Sequence, residues 1–200
     1  ADDNFGYMKR LSGPQEQKRA GRAGVYYHLS YLGVPHSYLW FSTTPPALMY
    51  EELRKAYDTT ADCIWLANCG DLKGSEVQVS FFLDMAYDIE QFNEKNVHTY
   101  PARWLAKMFG EQYYNTLEDI TCSHINLAFS RKPEYMGWGY WNNYWGGGEK
   151  RTDTEFSFTN YEEAGKRLAE YRRIGKKAED MLVTLEEAAR PALYQLLYYP

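Results

Sequence analysis

The stretch "IWLANCGDLKGSE", residues 64–76, leaves an apolar strand and at once presents Asn68, Asp71, Lys73 and Glu76 around two glycines. Asn, Gly and Asp tolerate tight turns, so the strand can simply be turning. It can also be aiming these side chains at a ligand, and the flanking sequence bears on that choice. Upstream, "VYYHLSYL" (25–32) is rich in aromatic and β-favouring residues and is closed by Gly33 and Pro35, which predicts a strand. Ser42, Thr43 and Thr44 before Pro45 and Pro46 form a helix start signal. The helix predicted through "ALMYEELRKAYD" puts Leu48, Leu53 and Ala56 on one face, with Met49 and Tyr57 beside it. "ADCIWLANC" (61–69) is the next strand, and "VSFFLDMAYD" (79–88) a further amphipathic helix.

Strand, loop, helix, strand, loop, helix, with strands too apolar to be solvated on one side, is the pattern of parallel α/β folds. A segment of a (β/α) barrel fits it. Residues 1–13 read as the outlet of a strand that began earlier, and 14–24 as a short charged helix or loop. Beyond residue 100 the character changes. Residues 101–129 predict helix, break at Gly110, helix; 160–185 and 186–199 are helical again, with a kink or break near Pro191. The expected organisation is a barrel part over 1–97 followed by an all-helical bundle over 98–200. Between the helices, "YMGWGYWNNYWGGG" (135–148) is too rich in Gly and aromatics to predict a regular element.

Composition narrows the function classes. A net charge of −5 argues against a general nucleic-acid or anionic-membrane surface, both of which need a basic excess. It leaves room for an acidic small ligand held by one or two cations. The 19 Tyr and 6 Trp suit carbohydrate platforms, but ordinary cores and interfaces use them as well. Three cysteines without CxxC spacing suggest neither zinc nor a disulfide framework, and Cys63 and Cys69, flanking a strand, read as small core residues. No apolar run approaches membrane-span length and no signal peptide is visible. Opening without Met and closing on "ALYQLLYYP", the chain reads as an internal segment of a longer protein.

In parallel α/β barrels functional groups sit at the carboxyl ends of strands. Three strand ends here carry polar groups: Asp2, Asp3 and Asn4; His28 with Ser30 and Tyr31; and Asn68 with Asp71 and Glu76. Carboxylates from separate strand ends are what glycoside hydrolysis needs, one as acid and one as base or nucleophile. Each has a bland counterpart. His28 can be a satisfied core histidine, Asp2 and Asp3 a turn or N-cap, and Asp71 part of a turn dipeptide. The aromatic stretch 135–148 either stacks on sugar rings or packs on a neighbouring domain or subunit.

The phrases "DDNFGYMKRL" (2–11), "GVYYHLSYLGVPHSYLW" (24–40), "IWLANCGDLKGSE" (64–76) with "FFLDMAYD" (81–88), "RKPEY" (131–135), "NYEEA" (160–164) and "ALYQLLYYP" (192–200) resemble glycoside hydrolase family 115, the xylan α-1,2-glucuronidases. The resemblance implies a catalytic (β/α) barrel followed by a helical bundle. It implies removal of glucuronic acid or its 4-O-methyl ether from xylan with inversion, and a homodimeric protein exported to the periplasm or cell exterior. Carried over, it implies catalytic roles among Asp2, Asp3, Asp71 and Glu76. Sugar or carboxylate contacts fall to Asn4, His28, Tyr31, Asn68 and Lys73. No metal or organic cofactor is called for, and no nucleic acid or membrane partner. It also implies Asp at position 30, where this chain has Ser30, and a hydroxyl cannot replace a carboxylate acid or base. The role then lies with another residue, or activity is altered. The rival expectation is a non-catalytic carbohydrate-binding or assembly protein on a hydrolase-derived scaffold.

Overall fold

Hydrogen bonding among the polar strand ends sets the architecture. A computed structural model describes residues 1–30, 44–132, 136, 139–143, 147–152 and 154–200. Strands β1 (Asp2–Asn4), β2 (Tyr7–Arg10), β3 (Val25–His28) and β4 (Trp65–Asn68) form one sheet in the order β2-β1-β3-β4. β1, β3 and β4 run parallel, with Asp2 opposite Tyr26 and His28 opposite Asn68; β2 returns antiparallel on β1. The polar start of the chain is thus a hairpin and not just a strand outlet. Its turn is Phe5–Gly6, at φ 56° and 88°. Two successive positive φ values match the right-handed twist of a two-residue hairpin.

Side chains alternate across β3. Val25, Tyr27 and Leu29 are buried, whereas Tyr26 is 40% exposed and Leu66 of β4 is 53% exposed. Helices cover the first face. Helix α1 (Pro46–Asp58) supplies Met49, Leu53 and Ala56, and α2 (Glu76–Tyr87) supplies Phe81, Phe82 and Met85. The parallel α/β order is present, but both strands are shorter than the expected 25–32 and 61–69. Tyr31 and Leu32 lie outside the described residues. Pro45 caps α1 in extended conformation, so the expected Thr44 cap is absent, and Thr44 Oγ1 is buried without a hydrogen-bond partner. Ser42 and Thr43 lie outside the described residues. Helix α2 starts three residues before the expected 79, at Glu76 itself.

The second layer is helical. Helices α3 (Tyr100–Phe109), α4 (Tyr114–Ser130) and α5 (Glu163–Thr184) follow the predicted positions, and Gly110 ends α3 at φ 119°. Pro191 opens the short α6 (Arg190–Leu193), where a missing N–H costs nothing, and does not kink a longer helix. Leu105, Phe109, Leu117, Ile120, Ile174, Met181 and Leu193 form a second apolar cluster. Val77 and Trp104 pack against both clusters.

Two expectations need correcting. The stretch 135–148 is not wholly irregular: β5 (Gly139–Asn143) and β6 (Gly147–Thr152) pair antiparallel. Trp138, Tyr144 and Trp145 lie outside the described residues. Cys63 is exposed and Cys69 only partly buried, so neither is a core residue; with Cys122 they are free thiols. Among the described residues no helix is long and apolar enough to cross a membrane.

Candidate active site at the carboxyl edge of the sheet

Parallel register brings the ends of β1, β3 and β4 level, so Asn4, His28 and Asn68 finish at one edge. Asp3 is the fixed point of this edge. Its side chain is fully buried, its Oδ1 accepts the His28 backbone N–H at 2.8 Å, and its Oδ2 accepts the Gly6 N–H at 3.1 Å. The same Oδ1 lies 2.8 Å from His28 Nδ1. The Phe5–Gly6 turn is therefore what folds a backbone donor under Asp3. The Tyr27 hydroxyl donates to Gly6 O at 3.0 Å and braces the turn from β3.

His28 is held on a second side. The Tyr26 ring packs against it at an interplanar angle of 69°, with ring centroids 4.7 Å apart, and Asn68 Nδ2 donates to the Tyr26 hydroxyl at 2.6 Å. Three strands thus fix one imidazole. Asp2, exposed beside it, completes a group with Asp3 and His28 whose oxygen and nitrogen atoms lie within 4.8 Å of one another. Two carboxylates and an imidazole are residue types that can ligate a cation; here the Asp3 oxygens already accept the His28 and Gly6 N–H groups.

The remaining candidates have other surroundings. Asp71 and Lys73 are exposed on the loop after β4. The Asp71 carbonyl accepts from Cys69 Sγ at 3.2 Å, and Lys73 Nζ lies 3.5 Å from Gln195 Oε1. Burial pushes the Cys69 thiol up, away from thiolate chemistry. Glu76, the first residue of α2, is partly buried, and its Oε2 is enclosed without a hydrogen-bond partner. The loop between β4 and α2 therefore does lie at the carboxyl edge. Tyr31 lies outside the described residues.

Ser30 has a definite task. Buried, it accepts the Gly70 N–H on Oγ at 2.5 Å and ties the exit of β3 to that of β4. Glu52 was missed from the sequence. Buried on α1, it accepts the Met8 N–H at 2.8 Å and pairs with Lys55, so it anchors β2. The signal was available: Glu52 sits four residues after Leu48, on the apolar stripe of the helix.

A family model described as glycosyl hydrolase family 115 matches residues 1–135. Among solved structures, a family GH115 4-O-methyl-α-glucuronidase, BtGH115A, with specificity for decorated arabinogalactans, superposes with a TM-score of 0.84 at 31% identity. The match covers 100% of this chain and 26% of that one, so the chain spans far less than the length of its relative. No curated protein matches at a significant level.

Proposed function

The chain belongs to glycoside hydrolase family 115, and on that premise we propose that the protein removes glucuronic acid or its 4-O-methyl ether from glucuronoxylan or a related polysaccharide such as a decorated arabinogalactan. The supporting observation is the gathering of Asp2, Asp3 and His28 at the carboxyl edge of a parallel sheet, with the Asp71–Glu76 loop leaving the same edge. That edge is where barrel enzymes carry their chemistry.

In this proposal two carboxylates do the work. An inverting enzyme places them roughly 6.5–9.5 Å apart, with a water between one of them and the sugar. Asp2, Asp71 and Glu76 are the carboxylates with surface to offer. His28, Asn4, Asn68, Tyr31 and Lys73 supply contacts to hydroxyls and to the uronate. Residues 1–97 belong to a (β/α) barrel and 98–200 to a helical bundle; the change of apolar cluster between Tyr100 and Ala102 supports this division. The protein is exported and dimeric in the same proposal.

The experiment is incubation of the full-length protein with glucuronoxylan and with glucuronate-bearing arabinogalactan, with free uronic acid as the readout. Release from either supports the reading, and the preferred glycan names the substrate. Release from neither rejects it. Glu76→Gln and Asp71→Asn separate the roles: loss of an acid or base lowers kcat by about 10²–10⁴-fold, whereas loss of a contact raises KM.

A further inference from the structure

The two apolar clusters do not close completely where they meet. A cavity of about 190 Å³ lies among α2, α3, α4 and α5, and its walls include Phe81, Leu105, Ile120, Ile174, Leu196 and Leu197. A cavity of about 150 Å³ lined by Leu, Ile and Phe stays dry and takes up benzene. The volume here therefore suits a single six-membered ring. Thr44 and Gln78 line the same cavity and are 2% and 4% exposed. Gln78 Nε2 donates to Thr44 O at 3.2 Å, which sets the two residues side by side. Among the described residues, Thr44 Oγ1 and Gln78 Oε1 have no hydrogen-bond partner. Polar atoms buried without partners cost free energy. Gly175, inside α5, lines the cavity too, and a Cβ there would meet no atom within 4 Å. Glycine inside a helix is destabilising relative to alanine, and no clash forbids a larger residue at this position. What the missing side chain does is leave the cavity its volume.

We propose that this cavity is a binding site for a small monocyclic phenol, with the ring among the apolar side chains and the hydroxyl at the Thr44–Gln78 end. The hydroxyl donates to Gln78 Oε1 and accepts from the Thr44 hydroxyl. Neither atom is open to a water-sized group as it stands, so the pairing takes a rotamer turn at Thr44 or Gln78. A sugar does not suit the site, because several of its hydroxyls would face apolar walls unpaired. The ligand is thus chemically distinct from the glycan of the sheet edge, and the site stands whether or not that edge cleaves glycans.

The test is calorimetric titration of the full-length protein with phenol and, separately, with benzene. The expected result is saturable binding of both, with phenol about fivefold tighter, the net worth of one neutral hydrogen bond. Thr44→Val keeps the shape of the side chain and removes its hydroxyl, so it is expected to bring phenol down to the affinity of benzene. Gly175→Leu fills the cavity from α5 and is expected to abolish saturable binding of both. Phenol that does not bind saturably overturns the inference. So does binding that survives Gly175→Leu, which places the ligand elsewhere. Phenol no tighter than benzene, or a Thr44→Val protein of unchanged preference, overturns the polar end assigned to Thr44 and Gln78. Should Gly175→Leu fail to fold, a phenol-soaked crystal of the full-length protein decides. Density between Phe81 and Ile174 supports the site, and density only elsewhere overturns it.

Discussion

Ser30 occupies a position where the family resemblance implies a carboxylate, and its surroundings explain what a hydroxyl does there. It is the acceptor that keeps the Gly70 N–H paired as the chain leaves β4. Ser30→Ala therefore removes the acceptor of a part-buried hydrogen bond and is expected to cost about 0.5–1.5 kcal/mol by chemical denaturation. An unchanged midpoint would show that water replaces the hydroxyl. Gly24, just before β3, is a second position decided by contact: a Cβ there would stand 2.6 Å from the carbonyl oxygen of Ile64, the acceptor of the Val25 N–H. Gly24→Ala is expected to cost about 1–3 kcal/mol as β4 is pushed away. Amide exchange should rise at Val25 but not in α5. Neither role was legible in the sequence, because both depend on a neighbour some forty residues away. Polar residue type at three strand ends was legible, and it located the edge without saying which carboxylate is buried.

At the scale of elements, helices announced themselves and short strands did not. The apolar stripe of α1 and the Gly110 stop between α3 and α4 could be read from spacing. The β1–β2 hairpin could not: Phe at the first turn position gives no turn signal, and only the pairing partner forces Phe5 to φ 56°. The β5–β6 pairing was likewise hidden by a sequence too rich in glycine and aromatics to read as strand. Between α4 and α5, Asp119 accepts from Lys177 Nζ at 2.6 Å and from Arg173 Nη2 at 3.0 Å. The hydrogen bonds from Arg173 and Lys177 hold its carboxyl down to about 2, from an ordinary 3.8. The folded state then binds fewer protons than the unfolded one, so stability is present above about pH 4 and lost as pH falls towards about 2. About a third of this side chain is exposed, so the contribution is below about 1 kcal/mol. Asp119→Asn is expected to flatten the acid limb of the denaturation midpoint over that window and to leave neutral-pH activity alone. A parallel acid limb in the variant would show that the pair contributes nothing.

For the molecule as a whole, the described helices dress the sheet on one side. Tyr26 at 40%, Leu66 at 53% and Ile64 at 64% exposure lie among the parallel strands away from α1 and α2. An apolar sheet face of this kind seeks cover. Residues 1–200 expressed by themselves are therefore expected to self-associate with rising concentration in sedimentation velocity, and Leu66→Lys should reduce it. A monomer at every concentration would show that the face tolerates water.

Val77 and Trp104 belong to both apolar clusters at once, and Val77 is joined by one peptide bond to Glu76. The two apolar clusters therefore meet one residue away from a carboxylate at the sheet edge.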